Sequence, residues 1–300
     1  MISPPPFTVA VNTVCLKKRL VSLLIILLCI CPGVSAQTEP EYFEGVQKRL
    51  VADGFDPDAI KALYLIETVQ FDLNGVSRYF VHQEGKLNYD QFSEKAPIQK
   101  AGTYLETHTA IFNTVETDTG VDREVITAIL LVETRLGKYF GSGSILNTLS
   151  TMAALEEPWV LESFWEKVPA ERRFERTKFE QKADAKSEWA YKELKAFLKY
   201  AARENITPET IIGSYAGAMG IPQFMPSNAL SLAVDGNQDG HVDLFNHDDA
   251  IASAANYLKR YGWKPGIDRD AAYEVVLHYN RSSYYANTVL KIMDLLKASP

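Results

Sequence analysis

Apolar residues recur at intervals of three and four along most of the chain, the spacing that lines one face of a helix. Phe43, Val46, Leu50 and Val51 set this period in a stretch that reads as helix over 42–68, with Gly54 as a stop and a second short helix over 56–65. The same period predicts helices over 98–118, 123–135, 145–155, 157–167, 187–203, 208–213, 247–261, 270–278 and 284–297, with Asp122 placed to cap the helix that starts at Arg123. Residues 69–97 are less regular, punctuated by Gly75, Gly85 and Pro97, and have room for short strands. Alternation of period two is scarce, so the expected fold class is mostly α.

One segment breaks this pattern. Lys17-Lys18-Arg19 precede an apolar run over 21–31, then Pro32, then the small residues Val34-Ser35-Ala36. Charged, apolar, small is the order of a secretory signal. The run is shorter than the ~20 apolar residues of a spanning helix. We therefore expect residues 1–36 to be a signal peptide cleaved after Ala36, and an exported protein, soluble in the periplasm and at most peripherally associated with the wall. All three cysteines (Cys15, Cys29, Cys31) precede that point, so residues 37–300 must hold together through their core without disulfides. The full chain carries −7; without 1–36, which hold three cations and no acids, it carries −10. No basic stripe appears, which argues against nucleic acid as a partner.

Four segments carry candidate chemistry. The first is Ile129-Leu130-Leu131-Val132-Glu133-Thr134-Arg135. Ile129 and Leu130 lie four and three residues before Glu133, hence on its face of the helix. A carboxylate there is partly desolvated, which disfavours its charged form and suits a proton donor. Pairing with a nearby Arg or Lys at the core margin is the plain structural alternative.

The second segment, 213–226, holds Gly213, Gly217, Gly220, Pro222 and Pro226 around Ser214, Tyr215 and Gln223. Such backbone approaches a ligand closely, and its hydroxyls and amide suit sugar hydroxyls and N-acetyl groups; a packing turn would look similar. It is neither a phosphate loop nor a nucleophile elbow. In the third, Asp235, Asn237 and Asp239 stand at positions one, three and five, with Gly240 at six, as at the start of an EF-hand calcium loop. His241 would contribute its main-chain carbonyl. Asn246 replaces the usual Glu at position twelve, and Asp249 at fifteen could close a longer loop; a solvated Asx-rich turn is the alternative. The fourth, Tyr279-Asn280-Arg281-Ser282-Ser283-Tyr284-Tyr285, sets rings beside amides and hydroxyls, which suits sugars but also ordinary packing. The five histidines show no zinc spacing, and no cysteine follows residue 36.

In order and spacing these segments resemble the membrane-bound lytic transglycosylase B family of peptidoglycan-cleaving enzymes. The resemblance rests on Val132-Glu133-Thr134-Arg135, the stretch 213–220 with 223–227, the loop 235–243, Ala255-Asn256-Tyr257 and Tyr279-Asn280. It implies a lysozyme-like catalytic core with a surrounding helical lobe over residues 37–300. It also implies cleavage of the MurNAc–GlcNAc bond of peptidoglycan glycan strands, with formation of 1,6-anhydromuramic acid and Glu133 as single acid and base. By motif position Ser214, Gln223, Tyr257, Tyr279, Asn280 and Tyr285 would bind substrate. Asp235, Asn237, Asp239, His241 and Asp249 would hold a structural calcium; catalysis would need no cofactor. Cell-wall synthesis or lysis proteins are conceivable partners. Two other readings remain: a hydrolytic muramidase on the same substrate, and a non-catalytic calcium-stabilised wall-binding protein.

Two departures bear on the site. The family's Arg-Arg pair has no counterpart at the aligned Ala185-Lys186, whereas the additional charged segment 162–182 contains Arg172-Arg173. Ile221-Pro222 replaces a more usual Tyr-Gly, a change expected at the cleft wall.

Overall fold

The computed structural model describes residues 39–81 and 88–299; the expected signal peptide and the three cysteines lie outside the described residues. In chain order the helices are α1 (Glu44–Ala52), α2 (Pro57–Tyr64), α3 (Leu73–Val81), α4 (Lys95–Thr107), α5 (Thr109–Thr119) and α6 (Arg123–Thr134). After strand β1 (Gly143–Ser144) come α7 (Ile145–Ala154), α8 (Pro158–Lys167) and α9 (Arg176–Arg203). After β2 (Ile212–Gly213) come α10 (Pro226–Leu232), α11 (His247–Arg260), α12 (Arg269–Tyr279) and α13 (Ser283–Lys297). The fold is mostly helical, as expected.

The helices bury two hydrophobic cores. One is built on α1–α3 and α7–α9, with Leu50, Leu149, Phe164 and Phe197 inaccessible. The other gathers α4–α6 and α11–α13 around Ile126, Ile129, Leu258 and Val289. Tyr279 packs against both. α6 is buried almost all round, from Val125 to Leu131, which makes it the axis of the second core.

Several boundaries differ from the pattern-based reading. The apolar period runs unbroken through 98–118, yet the chain kinks at His108 and makes α4 and α5. The irregular stretch 69–97 holds α3 rather than strands; the Asp72 carboxylate starts it by accepting the Gly75 amide at 2.7 Å. α9 begins at Arg176, eleven residues before the expected 187, because Arg176 pairs with Glu162 and Glu180 while Phe179 and Ala183 turn to the core. The segment 208–213, expected helical, is one 3₁₀ turn followed by β2. Asp122 does not cap α6. Its carboxylate accepts from Trp263 Nε1 and Lys297 Nζ, and Glu116 accepts the Arg123 amide instead.

Candidate active site

Glu133 lies in the last turn of α6. The helix stops one residue later through consecutive left-handed residues, Arg135 (φ 52°), Leu136 (φ 61°) and Gly137 (φ 78°). Two of these are not glycine, a strained arrangement that persists only where surroundings impose it. Thr134 imposes it. Its hydroxyl accepts the Gly137 amide at 3.0 Å and donates to the Ile221 carbonyl at 2.9 Å, tying the end of α6 to the glycine-rich segment.

That segment folds as a small antiparallel sheet. β1 pairs with β2, and Gly213, Met219 and Phe224 continue the ladder through single bridges. Its turn is closed by the Ser214 hydroxyl, which accepts the Ala216 and Ala218 amides at 3.2 and 3.0 Å. Glycine is required at 141, where a Cβ would collide with the Gly213 carbonyl and φ is +90°. Gln223 is held at φ 50°, and its side-chain amide donates to the Gly220 carbonyl at 2.9 Å. Ile221 and Pro222 turn inward. Both are buried, and the Pro222 carbonyl accepts from Tyr279 Oη at 2.6 Å, so this pair shapes the core behind the cleft and not its wall.

Glu133, Ser214, Tyr215 and Gln223 line one cavity of about 410 Å³. The tyrosines predicted with them stand elsewhere. Tyr285, 1% exposed, lies under Glu133 and donates from Oη to Glu133 Oε1 at 2.7 Å. Tyr279 stacks on Tyr285 (centroids 6.5 Å, planes 10° apart), and Tyr257 meets Tyr279 edge-on at 4.8 Å while donating to the His278 carbonyl. Burial first, and the charge of Glu133 second, push the Tyr279 and Tyr285 phenols well above their ordinary range, so both stay protonated donors. Asn280 ends α12 in extended conformation, and its carbonyl accepts the Ser282 amide.

The cavity also contains residues that the motif reading did not select. Asp72, Asn74 and Arg78 come from α3 and the turn before it; Tyr139, Phe140 and Ser142 come from the loop after α6. Both oxygens of Asp72 are engaged, Oδ1 by the Gly75 amide and Oδ2 by the Thr148 hydroxyl at 3.4 Å. Arg172 reaches toward this wall, donating to the Ser77 hydroxyl at 2.8 Å, whereas Arg173 binds the Val168 and Glu166 carbonyls. Lys186 lies over the rings of Trp189 (4.6 Å) and Tyr79 (5.3 Å), and Tyr79 adjoins Tyr215.

The loop over 235–249 is closed by hydrogen bonds. Asp235 accepts the Asp239 and Gly240 amides, and Asp239 accepts the His241 amide. The buried Asp249 accepts the Gly236 and Asn237 amides on Oδ1 and the Asp243 amide on Oδ2. Among the described residues no three Asp, Glu, His or Cys side chains converge as a metal cluster would. Nor is any helix among them long and apolar enough to cross a membrane.

Glu133 thus stands at the end of a buried helix, backed by protonated tyrosines and sharing a cavity with the glycine-rich segment. The chain belongs to the transglycosylase SLT domain family, whose model matches residues 38–272. It is 37% identical over 147 residues to membrane-bound lytic murein transglycosylase B of Escherichia coli K12. That alignment takes in 49% of this chain and 33% of the relative, so the chain spans about a third of that protein's length. The fold is similar to that of SltB3 from Pseudomonas aeruginosa in complex with NAG-anhNAM-pentapeptide (TM-score 0.69, 21% identity, 88% of this chain and 80% of that one). It is also similar to the Escherichia coli lytic transglycosylase SLT35 in complex with calcium (TM-score 0.64, 23% identity, 87% of this chain and 93% of that one).

Proposed function

We propose that this protein is a lytic transglycosylase, cutting the MurNAc–GlcNAc β-1,4 bond of peptidoglycan and closing a 1,6-anhydro ring on the muramic acid. The observation that carries this reading is the hydrogen bond from buried Tyr285 to Glu133, in a cavity shared with Ser214 and Gln223. Glu133 delivers its proton to the glycosidic oxygen as the bond to the muramyl C1 breaks. The carboxylate left behind is stabilised by the Tyr285 donor, which favours the charged form. It then takes the proton of the same sugar's 6-hydroxyl as that oxygen bonds to C1. No water is consumed, and one carboxyl group serves both steps. Ser214 and Gln223 face the acetamido groups.

A hydrolytic muramidase is the second reading, favoured by one observation: Asp72 lines the same cavity and supplies a second carboxylate. Both of its oxygens are already engaged, by the Gly75 amide and the Thr148 hydroxyl, and we place this reading second.

For calcium, the donor set suits a hard cation. Asp235, Asn237, Asp239 and Asp249 offer side-chain oxygens and His241 its carbonyl. Calcium would tie the loop to α11 and serve stability alone. Export to the periplasm and action at the wall complete the proposal.

The test is Glu133→Gln, which keeps the shape and a hydrogen-bond acceptor for Tyr285. Turnover of purified peptidoglycan should vanish while binding to it persists; full turnover would refute Glu133 as the acid, and loss of binding with a folded protein would place Glu133 in recognition instead.

A further inference from the structure

α3 forms one wall of the Glu133 cavity. Asn74 and Arg78, four residues apart and so on one face of the helix, line the cavity together with Asp72 just before it. Val76, Ser77 and Phe80 are buried on its other side. A helix of nine residues holds its place through packing and not through its own propensity. Its first end is anchored on α7, where the Asp72 amide donates to the Thr151 hydroxyl at 2.8 Å. Its last turns rest on the additional charged segment 162–182. Phe80 packs against Phe164 (centroids 6.1 Å) and Phe179 (5.2 Å). Arg172 donates from Nη1 to the Ser77 hydroxyl at 2.8 Å, and Lys182 donates from Nζ to the Phe80 carbonyl at 2.7 Å. The second bond satisfies one of the carbonyls that the end of a helix leaves without an intrahelical partner.

The segment is also fastened to itself. Arg176 pairs with Glu162 and Glu180, Lys178 pairs with Glu175, and Arg173 donates to the Val168 and Glu166 carbonyls. Arg172 and Lys182, each half-buried, leave this internal network and turn to α3. We propose that these two cations are positioning residues, which brace α3 so that Asn74 and Arg78 meet the sugar chain held at Glu133. The kinetic consequence rests on the glycan-cleaving reading of the cavity. Neither cation lines the cavity; both act through the helix. A shift of ~1 Å in such a wall costs up to about 100-fold in rate, because the scissile bond then misses the acid. The charge of the segment serves to place a wall and not to bind substrate.

The experiment compares two double variants with the unaltered protein on soluble glycan strands. Arg172→Met/Lys182→Met keeps the apolar stems and removes the donors; Arg172→Lys/Lys182→Arg keeps cationic donors. The methionine pair should lower kcat by roughly ten-fold, and the conservative pair should recover most of that loss. Hydrogen exchange of the α3 amides should quicken in the methionine pair while that of α6 is unchanged. A lower melting temperature with kcat unchanged would make the segment a stabiliser only and overturn the proposal. An equal fall in both pairs would trace the loss to packing and overturn the role of the donors. If the methionine pair does not fold, Ser77→Ala, which removes only the acceptor of Arg172, carries the same comparison against the unaltered protein. If the unaltered protein cuts no glycan, the cleavage reading fails. Exchange at α3 then decides the brace alone: faster exchange in the methionine pair supports it, and unchanged exchange refutes it.

Discussion

Tyr285 donates from its phenol to Oε1 of Glu133 across 2.7 Å, though 152 residues separate them. α6 and α13 pack together in the second core, and the tyrosine is 1% exposed there. The packing of that core therefore holds the donor that meets the Glu133 carboxylate. The ring stack of Tyr285 on Tyr279, and the bond from Tyr279 to Pro222, extend the same rigidity to the glycine-rich wall.

Removing this donor should slow the chemistry. A hydrogen bond to a charged group contributes about 1.5–3 kcal/mol, so Tyr285→Phe should lower kcat by roughly 10- to 100-fold with little change in KM. Steady-state kinetics on peptidoglycan checks it. An unaltered kcat would mean the tyrosine serves packing only.

A second dependence is structural. Glu193 on α9, 6% exposed, accepts from both the amide and the hydroxyl of Ser227, each at 2.8 Å, and so pins the start of α10 directly after the cleft wall. Glu193→Ala removes two hydrogen bonds to a carboxylate at the start of α10, and denaturant melts should show a loss of about 1.5–3 kcal/mol. A loss below ~0.5 kcal/mol, the size of an ordinary surface change, would show that water replaces the carboxylate without cost.

How much of this was legible in advance varies with the range of the interactions. Glu133, Ser214 and Gln223 could be read locally, because an apolar helix ending in Glu and a glycine-rich turn announce themselves within a few residues. The tyrosines could be read as belonging to the site but not as its support; that Tyr285 and Tyr279 lie beneath the acid depends on how α12 and α13 pack. Asp72 and Arg78 were missed because the cleft wall borrows them from a distant segment. The Asp72–Gly75 spacing was a helix-start signal for α3, but nothing local pointed it at Glu133. The break at His108 was hidden because the apolar period continues through it. The early start of α9 was hidden because its first turns are held by ion pairs from Arg176 rather than by an apolar stripe.

Acid should weaken the fold through its histidines. Burial holds His108 below its ordinary 6.5, partly offset by the Asp248 carboxylate 3.9 Å away; His247 beside it is lowered by burial and then by His108. A histidine depressed in the folded state contributes stability that is present above the unfolded value of about 6.5 and lost as pH falls toward the folded one. Thermal melts between pH 7.5 and 5.5 should therefore show falling stability, and His108→Asn should flatten the slope. An equal slope in the variant would assign the loss to other groups.

Calcium gives a prediction independent of catalysis. An ion that binds only the folded protein raises its melting temperature. Calcium added to chelator-treated protein should do so, and Asp235→Asn together with Asp239→Asn should abolish the response. No shift at millimolar calcium would reduce the 235–249 loop to the hydrogen-bonded turn that Asp249 closes.

The most direct test of the central claim is mass spectrometry of the products released when residues 37–300 act on purified peptidoglycan. The account predicts muropeptides ending in 1,6-anhydromuramic acid, one water lighter than hydrolysis products. Reducing-end muropeptides would contradict it, and would turn attention to Asp72 as the second carboxylate.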